Sequence, residues 1–394
     1  MGGGYRAGRP RAPGFSLVAG GTTFRWIAGP TAMSVRLSRV AQVALALAVL
    51  SWVPLLVCSV AQGLALGWRG SFFQDAGVHA RLLVALPIAI WAERPIARRL
   101  DRAVRYLADA RLIDDTNRAA ASVAIRRAER LRDLRWLEPA LAVAALALSA
   151  HDLWVGWRGP STWIFPHEQT GAPVSIAGWL YLGIAAPLFR FVALRWLWRV
   201  VLWTVLLGGL ARARLRIDPA HPDGTGGLSV LVSAHTSFGW VAGAIGVSLA
   251  GNLATERILF ARHVTDYWSE IITFSALTPL LFLLPAMVFA WPLERARREF
   301  HEGYGSASAD FAHRYAAGRI DPETRTPMPV GTPDTSSHTD LVTSFASVEG
   351  TRWIPFKRAH YLKLFVPSAV PMVLFLMQEI PLIDLLHRLK DTIG

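Results

Sequence analysis

The sequence predicts an all-α, polytopic helical membrane protein of about seven spans, N-in and C-out, with helical extensions on the cytoplasmic side. Two observations predict it. The chain of 394 residues is 53% hydrophobic, its mean hydropathy is +0.34, and the apolar residues fall in blocks that approach membrane length. Its 41 Lys+Arg against 28 Asp+Glu, a formal net charge of +13, gather in alternate connecting segments, the pattern that sets orientation in a membrane. This composition excludes an ordinary cytosolic enzyme and removes nucleic acid as the expected partner of a basic chain. A lone Cys58 forms neither an internal disulfide nor a cysteine metal site, and packing is its expected role.

Residues 1–35, rich in Gly, Pro and Arg, read as a disordered basic tail. A signal peptide is not expected, because the apolar run begins too late and is too long; Met33 is an alternative start. Residues 36–93 hold the first two membrane segments. The first covers 40–66, with Pro54 tolerated inside it. The second has an apolar core of only 82–92 and reaches membrane length from about Ala76, taking in His79 and Arg81; a re-entrant or interfacial segment is the alternative. In residues 94–136, Ile96, Leu100, Val104, Leu107 and Leu112 recur at helical spacing between arginines. They predict a basic amphipathic helix, followed by a second over 116–134, either lying on anionic lipid or forming a solvated hairpin that extends the bundle.

Residues 137–293 hold spans three to six, over 137–157, 176–210, 228–253 and 271–291. The fourth, about 35 residues at ~1.5 Å each, exceeds a ~30 Å hydrocarbon core by some 20 Å, so it is expected to cross over 176–197 and continue into the cytoplasm. Residues 294–359 begin as a charged helix reaching about residue 317. A Pro, Thr and Ser-rich linker and a short helix over 340–348 follow. Residues 360–394 supply the last span, 362–386, and a tail.

Positive charge tests this layout. The inner segments carry Arg6, Arg9, Arg11, Arg25, Arg36 and Arg39, twelve arginines from Arg94 to Arg135, then Arg212, Arg214 and Arg216, and the cluster from Arg295 to Arg358. The outer ones carry Arg69, Arg81, Arg158, Arg257, Arg262, Arg388 and Lys390. Losing the weak second segment would invert every loop after it, which argues that it spans. The expected partner is a lipid bilayer with an anionic inner leaflet, and the expected location is the bacterial inner membrane.

The most distinctive string is His221-Pro222-Asp223-Gly224-Thr225-Gly226-Gly227, just before the fifth span. Successive N–H groups in such a turn form an anion-attracting nest, and Arg212, Arg214 and Arg216 lie upstream. The turn reads either as an anion or headgroup site at the inner mouth or as a compact turn with Asp223 capping the helix. It is neither a Walker A loop nor GxGxxG. Here the chain resembles uncharacterised bacterial multi-pass inner-membrane proteins that carry an HPD-x-x-GGL segment after an Arg/Trp-rich helix and a Leu-rich C-terminal tail such as Ile380 to Leu386. The resemblance covers about residues 40 to 390; it implies the membrane architecture and no activity.

In the fifth span, Gly239, Gly243 and Gly246 give a close-packing face, and Ser229, Ser233, Thr236 and Ser237 give a hydroxyl stripe. The helix is expected in the protein centre or against copies in a homo-oligomer. The hydroxyls line a polar path or bond their own helix carbonyls. Arg190 is the deepest charge, with Arg195, Arg199, Glu138, His235 and the His151-Asp152 pair nearer the ends. An arginine ring facing a pore would favour anions, whereas Arg195 and Arg199 interleave with Trp196, Trp198 and Trp203 as an interfacial belt would.

The histidines lack metal-ligand spacing and no catalytic motif is present, so neither an enzyme nor a cofactor is expected. The sequence thus favours an oligomeric channel or pore with anion preference, with a membrane scaffold or a lipid- or partner-sensing protein as the alternative.

Overall fold

The computed structural model describes residues 37–318, apart from 157 and 220, and 358–379, with 343 and 348 between them. The expected tail over 1–35, the linker, all of the 340–348 helix but Val348 and Thr343, and the stretch beyond 379 lie outside the described residues.

The long helices are α1 (Leu37–Ala61), α2 (Ala76–Asp109), α3 (Arg118–Arg132), α4 (Leu137–Gly156), α5 (Ile176–Arg212), α6 (Ser229–Phe260), α7 (Val264–Met287), α8 (Ala290–Gly318) and α9 (Arg358–Leu376). No β-strand occurs among the described residues. All except α3 and α8 are long and apolar enough to cross a membrane, seven in total among the described residues. The protein is an all-α polytopic membrane protein.

The weak second segment begins at Ala76 and is fully helical. It also runs straight through the division expected at residues 93 and 94, so span and basic amphipathic stretch form one helix of 34 residues. Pro95 withholds a single donor, and the ladder closes around it: Ala92 N–H donates to the Ile88 carbonyl at 2.9 Å and Ile96 N–H to that of Ala92 at 3.2 Å. Likewise α5 is continuous over 37 residues. Both helices contain a π-helical turn, Ala80–Ala85 in α2 and Tyr181–Ala185 in α5. α6 passes through a 3₁₀ turn at Thr236–Phe238 and outruns its expected end by reaching Phe260, while α7 starts earlier and stops earlier than expected.

The loops sort into two ends as the charges do. At the basic end, Arg216 N–H donates to the Leu112 carbonyl at 2.9 Å, and Asn117 Nδ2 donates to the carbonyls of Leu112 and Arg214 at 3.0 and 3.2 Å. At the opposite end, Trp163 N–H donates to the Gly70 carbonyl at 2.8 Å, Ala177 N–H to Gln62 Oε1 at 3.3 Å and Val264 N–H to Glu379 Oε2 at 2.9 Å. α3 packs on the part of α5 that reaches the basic end, where a Cβ on Gly209 would come within 2.6 Å of Ala124 Cβ. The two basic helices are therefore packed extensions of the bundle.

α6 is the central helix, with 67% of its apolar window buried. Its glycines explain this. α9 runs parallel to it, and a Cβ on Gly243 would lie 3.0 Å from the Pro367 carbonyl oxygen and one on Gly246 2.8 Å from that of Ser368; one on Gly239 would overlap the Lys363 carbonyl oxygen. Pro367 and Pro371 lack N–H groups, which releases the carbonyls four residues back, those of Lys363 and Pro367. These two freed carbonyls are the ones pressed against Gly239 and Gly243, a geometry suited to weak Cα–H···O contacts. On the other side Gly251 meets α2, its Cβ position 2.5 Å from Ala80 Cβ. The small-residue stripe is thus filled within the chain: of the two expected placements, the protein centre is the one seen, with α9 on that face.

Candidate functional site

The turn at residues 221–227 is shaped by its glycines, with φ of +65° at Gly224 and Gly226 and +86° at Gly227, a region L side chains rarely adopt. Gly226 also lies against Ile217 and Leu293. Asp223 fills the turn: Oδ1 accepts from the N–H groups of Thr225 at 2.8 Å and Gly227 at 3.1 Å, and Oδ2 from that of Ser229 at 3.2 Å. His221 Nδ1 lies 3.0 Å from the same carboxylate. Burial alone would raise the Asp223 pKa, but the three backbone donors outweigh it and hold the carboxyl well below the usual carboxylate range. The nest expected to receive an external anion already holds one from its own chain. The compact-turn reading is the one the geometry carries, and α6 starts from this anchor.

The hydroxyl stripe divides. Thr236 Oγ1 donates to the Ser233 carbonyl at 2.8 Å and Ser237 Oγ to that of Ala234; both side chains are buried. Both hydroxyls satisfy their own helix, and Thr236 also borders a cleft at the basic end. Ser229 contributes its N–H to Asp223. Only Ser233 is exposed, with its Oγ 3.4 Å from His360 Nε2.

The arginines expected to face a pore have partners. Arg190 Nη1 donates to Ser149 Oγ at 2.6 Å and Nη2 to the Asp152 carboxylate, which joins α5 to α4 as a neutral pair. Deeper toward the basic end, Glu93 accepts a hydrogen bond from Arg195 at 3.2 Å and forms an ion pair with Arg199, whose Nη1 lies 3.1 Å from Oε1. All three are buried. The Arg199 guanidinium stacks over Trp196 at 4.6 Å, whose Nε1 donates to the Ala89 carbonyl at 2.9 Å, and Glu138 adds a second negative charge to the field at Arg199. Neither a pore-facing ring nor an interfacial belt describes Arg195 and Arg199. They are interior ligands of one carboxylate.

A polar centre that the sequence reading missed lies where the two π-helical turns meet. Arg81 donates to Tyr181 Oη and, at 2.6 Å, to Asn252 Oδ1, with its Nε 3.4 Å from Ser248 Oγ. It therefore ties α2 to α5 and α6. One turn further out, Asp75 accepts from Val78 N–H at 3.0 Å, from Trp163 Nε1 at 2.9 Å and from Thr255 Oγ1 at 3.0 Å. The length problem of the second segment was the available signal: a span that must include an arginine needs interior partners for it. Among the described residues, no group of three or more His, Cys, Asp or Glu side chains is placed to hold a metal ion.

A cleft of about 920 Å³ opens at the basic end between the extension of α2, the start of α6 and the start of α9. Arg99, Arg102, Lys363, Ser233 and Tyr106 supply its polar lining, and Trp240 and Val366 belong to its apolar wall. No family model, no curated protein and no solved structure matches the chain.

Proposed function

We propose that this protein is a membrane-embedded scaffold or sensor whose basic end engages an anionic leaflet or an acidic partner, and that this end faces the cytoplasm. The supporting observation is a contrast in charge pairing. Inside the bundle, Arg81, Arg190, Arg195 and Arg199 are all bonded to other spans. At the basic end, Arg99, Arg102, Arg126, Arg127, Arg130, Arg212 and Arg214 are exposed and form no ion pair among the described residues. Charges without partners next to a bilayer are attracted to anionic lipid by about 1 kcal/mol each. The anion-pore reading loses its support, because the residues that suggested it are paired or turned onto their own helix.

Hydrogen exchange of the full-length protein in nanodiscs tests the proposal. Amides of α3 are expected to exchange more slowly when anionic lipid replaces part of a zwitterionic bilayer, and Arg126→Gln with Arg127→Gln and Arg130→Gln is expected to abolish the difference. Identical α3 exchange in both bilayers would remove the lipid-engaging reading.

A further inference from the structure

We propose that the cleft between α2, α6 and α9 holds one anionic glycerophospholipid from the leaflet at the basic end. The inference rests on the preceding reading and specifies its ligand. Three arguments support it, and the first is register. α6 and α9 both run inward from the basic end, and Trp240 of α6 meets Trp91 of α2 with ring centroids 5.3 Å apart. Arg99 lies eight residues beyond Trp91, about 12 Å nearer the basic end. Arg99, Arg102 and Tyr106 share one helix face at that level, and Lys363 stands at the first turns of α9, with Val366 and Pro367 one turn deeper. The cations and Tyr106 thus lie toward the basic end, with Val230 and Leu362 among them, and the lining toward the membrane interior is Trp240, Val366 and Pro367, the order of headgroup and acyl chain in a lipid.

The second argument is charge. Arg99, Arg102 and Lys363 are exposed, and among the described residues they form no ion pair and no carboxylate lines the cleft. Three cations thus line a space to which the described residues bring no carboxylate, which matches a phosphodiester. The third is shape. The cleft lies within the usual volume range of small-molecule sites, and its apolar wall includes the exposed Leu362, Val366 and Trp240. A free phosphate ion would leave that wall uncovered; a lipid with its chains along α9 covers it.

Native mass spectrometry of the full-length, delipidated protein tests the assignment. Titration with phosphatidylglycerol is expected to give one saturating adduct, and phosphatidylcholine with the same chains is expected to bind at least about tenfold more weakly, on the strength of three charge contacts. Arg99→Gln combined with Lys363→Gln is expected to reduce the phosphatidylglycerol adduct to the phosphatidylcholine level, whereas Arg69→Gln with Arg158→Gln, exposed at the opposite end, leaves it intact. Val366→Trp, which fills the apolar wall with the cations kept, is expected to abolish it as well. An adduct unchanged in both cleft variants would overturn the site even if α3 still responded to anionic bilayers. Displacement of the lipid by millimolar inorganic phosphate would assign the cleft to a soluble anion and overturn the lipid assignment. Loss of the α3 response with the adduct retained would instead overturn the general reading alone.

Discussion

Replacing Glu93 with glutamine is expected to destabilise the protein by about 3–5 kcal/mol, the usual cost of leaving a buried charge without its partner. Glu93 is 5% exposed, and it faces Arg195 and Arg199, which are 6% and 4% exposed. Removing its charge leaves two guanidinium groups four residues apart on one helix face, with Glu138 as the remaining negative charge near Arg199. Both arginines would have to pull toward the basic end, and the packing of Trp196 under Arg199 would be lost with them. The measurement is equilibrium unfolding in mixed micelles against a denaturing detergent. A triple variant, Glu93→Leu with Arg195→Met and Arg199→Met, is expected to recover most of the loss, since an apolar set of similar volume often matches a buried ion network. Recovery would show that the loss comes from uncompensated charge. A Glu93→Gln protein as stable as the parent would show that the two arginines do not depend on that carboxylate.

Gly239→Ala is expected to cost about 1–3 kcal/mol despite adding a single methyl group to a helix, where alanine is ordinarily favoured. The added Cβ would overlap the Lys363 carbonyl oxygen. That oxygen cannot withdraw into its own helix, because Pro367 offers it no N–H. α9 would have to move away from α6, loosening the Gly243 and Gly246 contacts as well. Gly208→Ala in α5 serves as the control: the nearest atom to its Cβ position is the flexible Arg212 Nη1 at 3.6 Å, so this change is expected to be neutral or slightly stabilising. Melting temperatures of the two variants in the same detergent compare them directly. Equal effects would mean that α6 and α9 are not held at this close approach.

What the sequence made legible follows from which interactions leave a local trace. Apolar blocks and arginine asymmetry are averages over many residues, so the seven spans and the sorting of loops into two ends could be read without any pairing information. The glycine face of α6 was legible as a close-packing surface, but its occupant was not, because a stripe of small residues fits any helix back. The decisive mark was in α9, where Pro367 and Pro371 free carbonyls at matching intervals. Charge partners were the least legible. Asp152 and Arg190 are 38 positions apart, and Glu93 and Arg195 102 apart; nothing in either local stretch points to the other. Arg190 alone suggests a pore, and Arg190 with Asp152 suggests a fastening between α4 and α5. The HPDGTGG turn allowed two readings, and geometry decides between them, since the anion its N–H groups attract is Asp223, a member of the same turn.

The central claim is that the charged groups of the spans hold helices together and that lipid or a partner is engaged at the basic end. Ion flux through proteoliposomes tests this most directly. The account predicts no chloride or phosphate conductance above that of protein-free vesicles under any applied gradient or voltage, both for the parent and for Arg190→Ala. An anion conductance in the parent that Arg190→Ala abolishes, in a protein shown to remain folded, would contradict it.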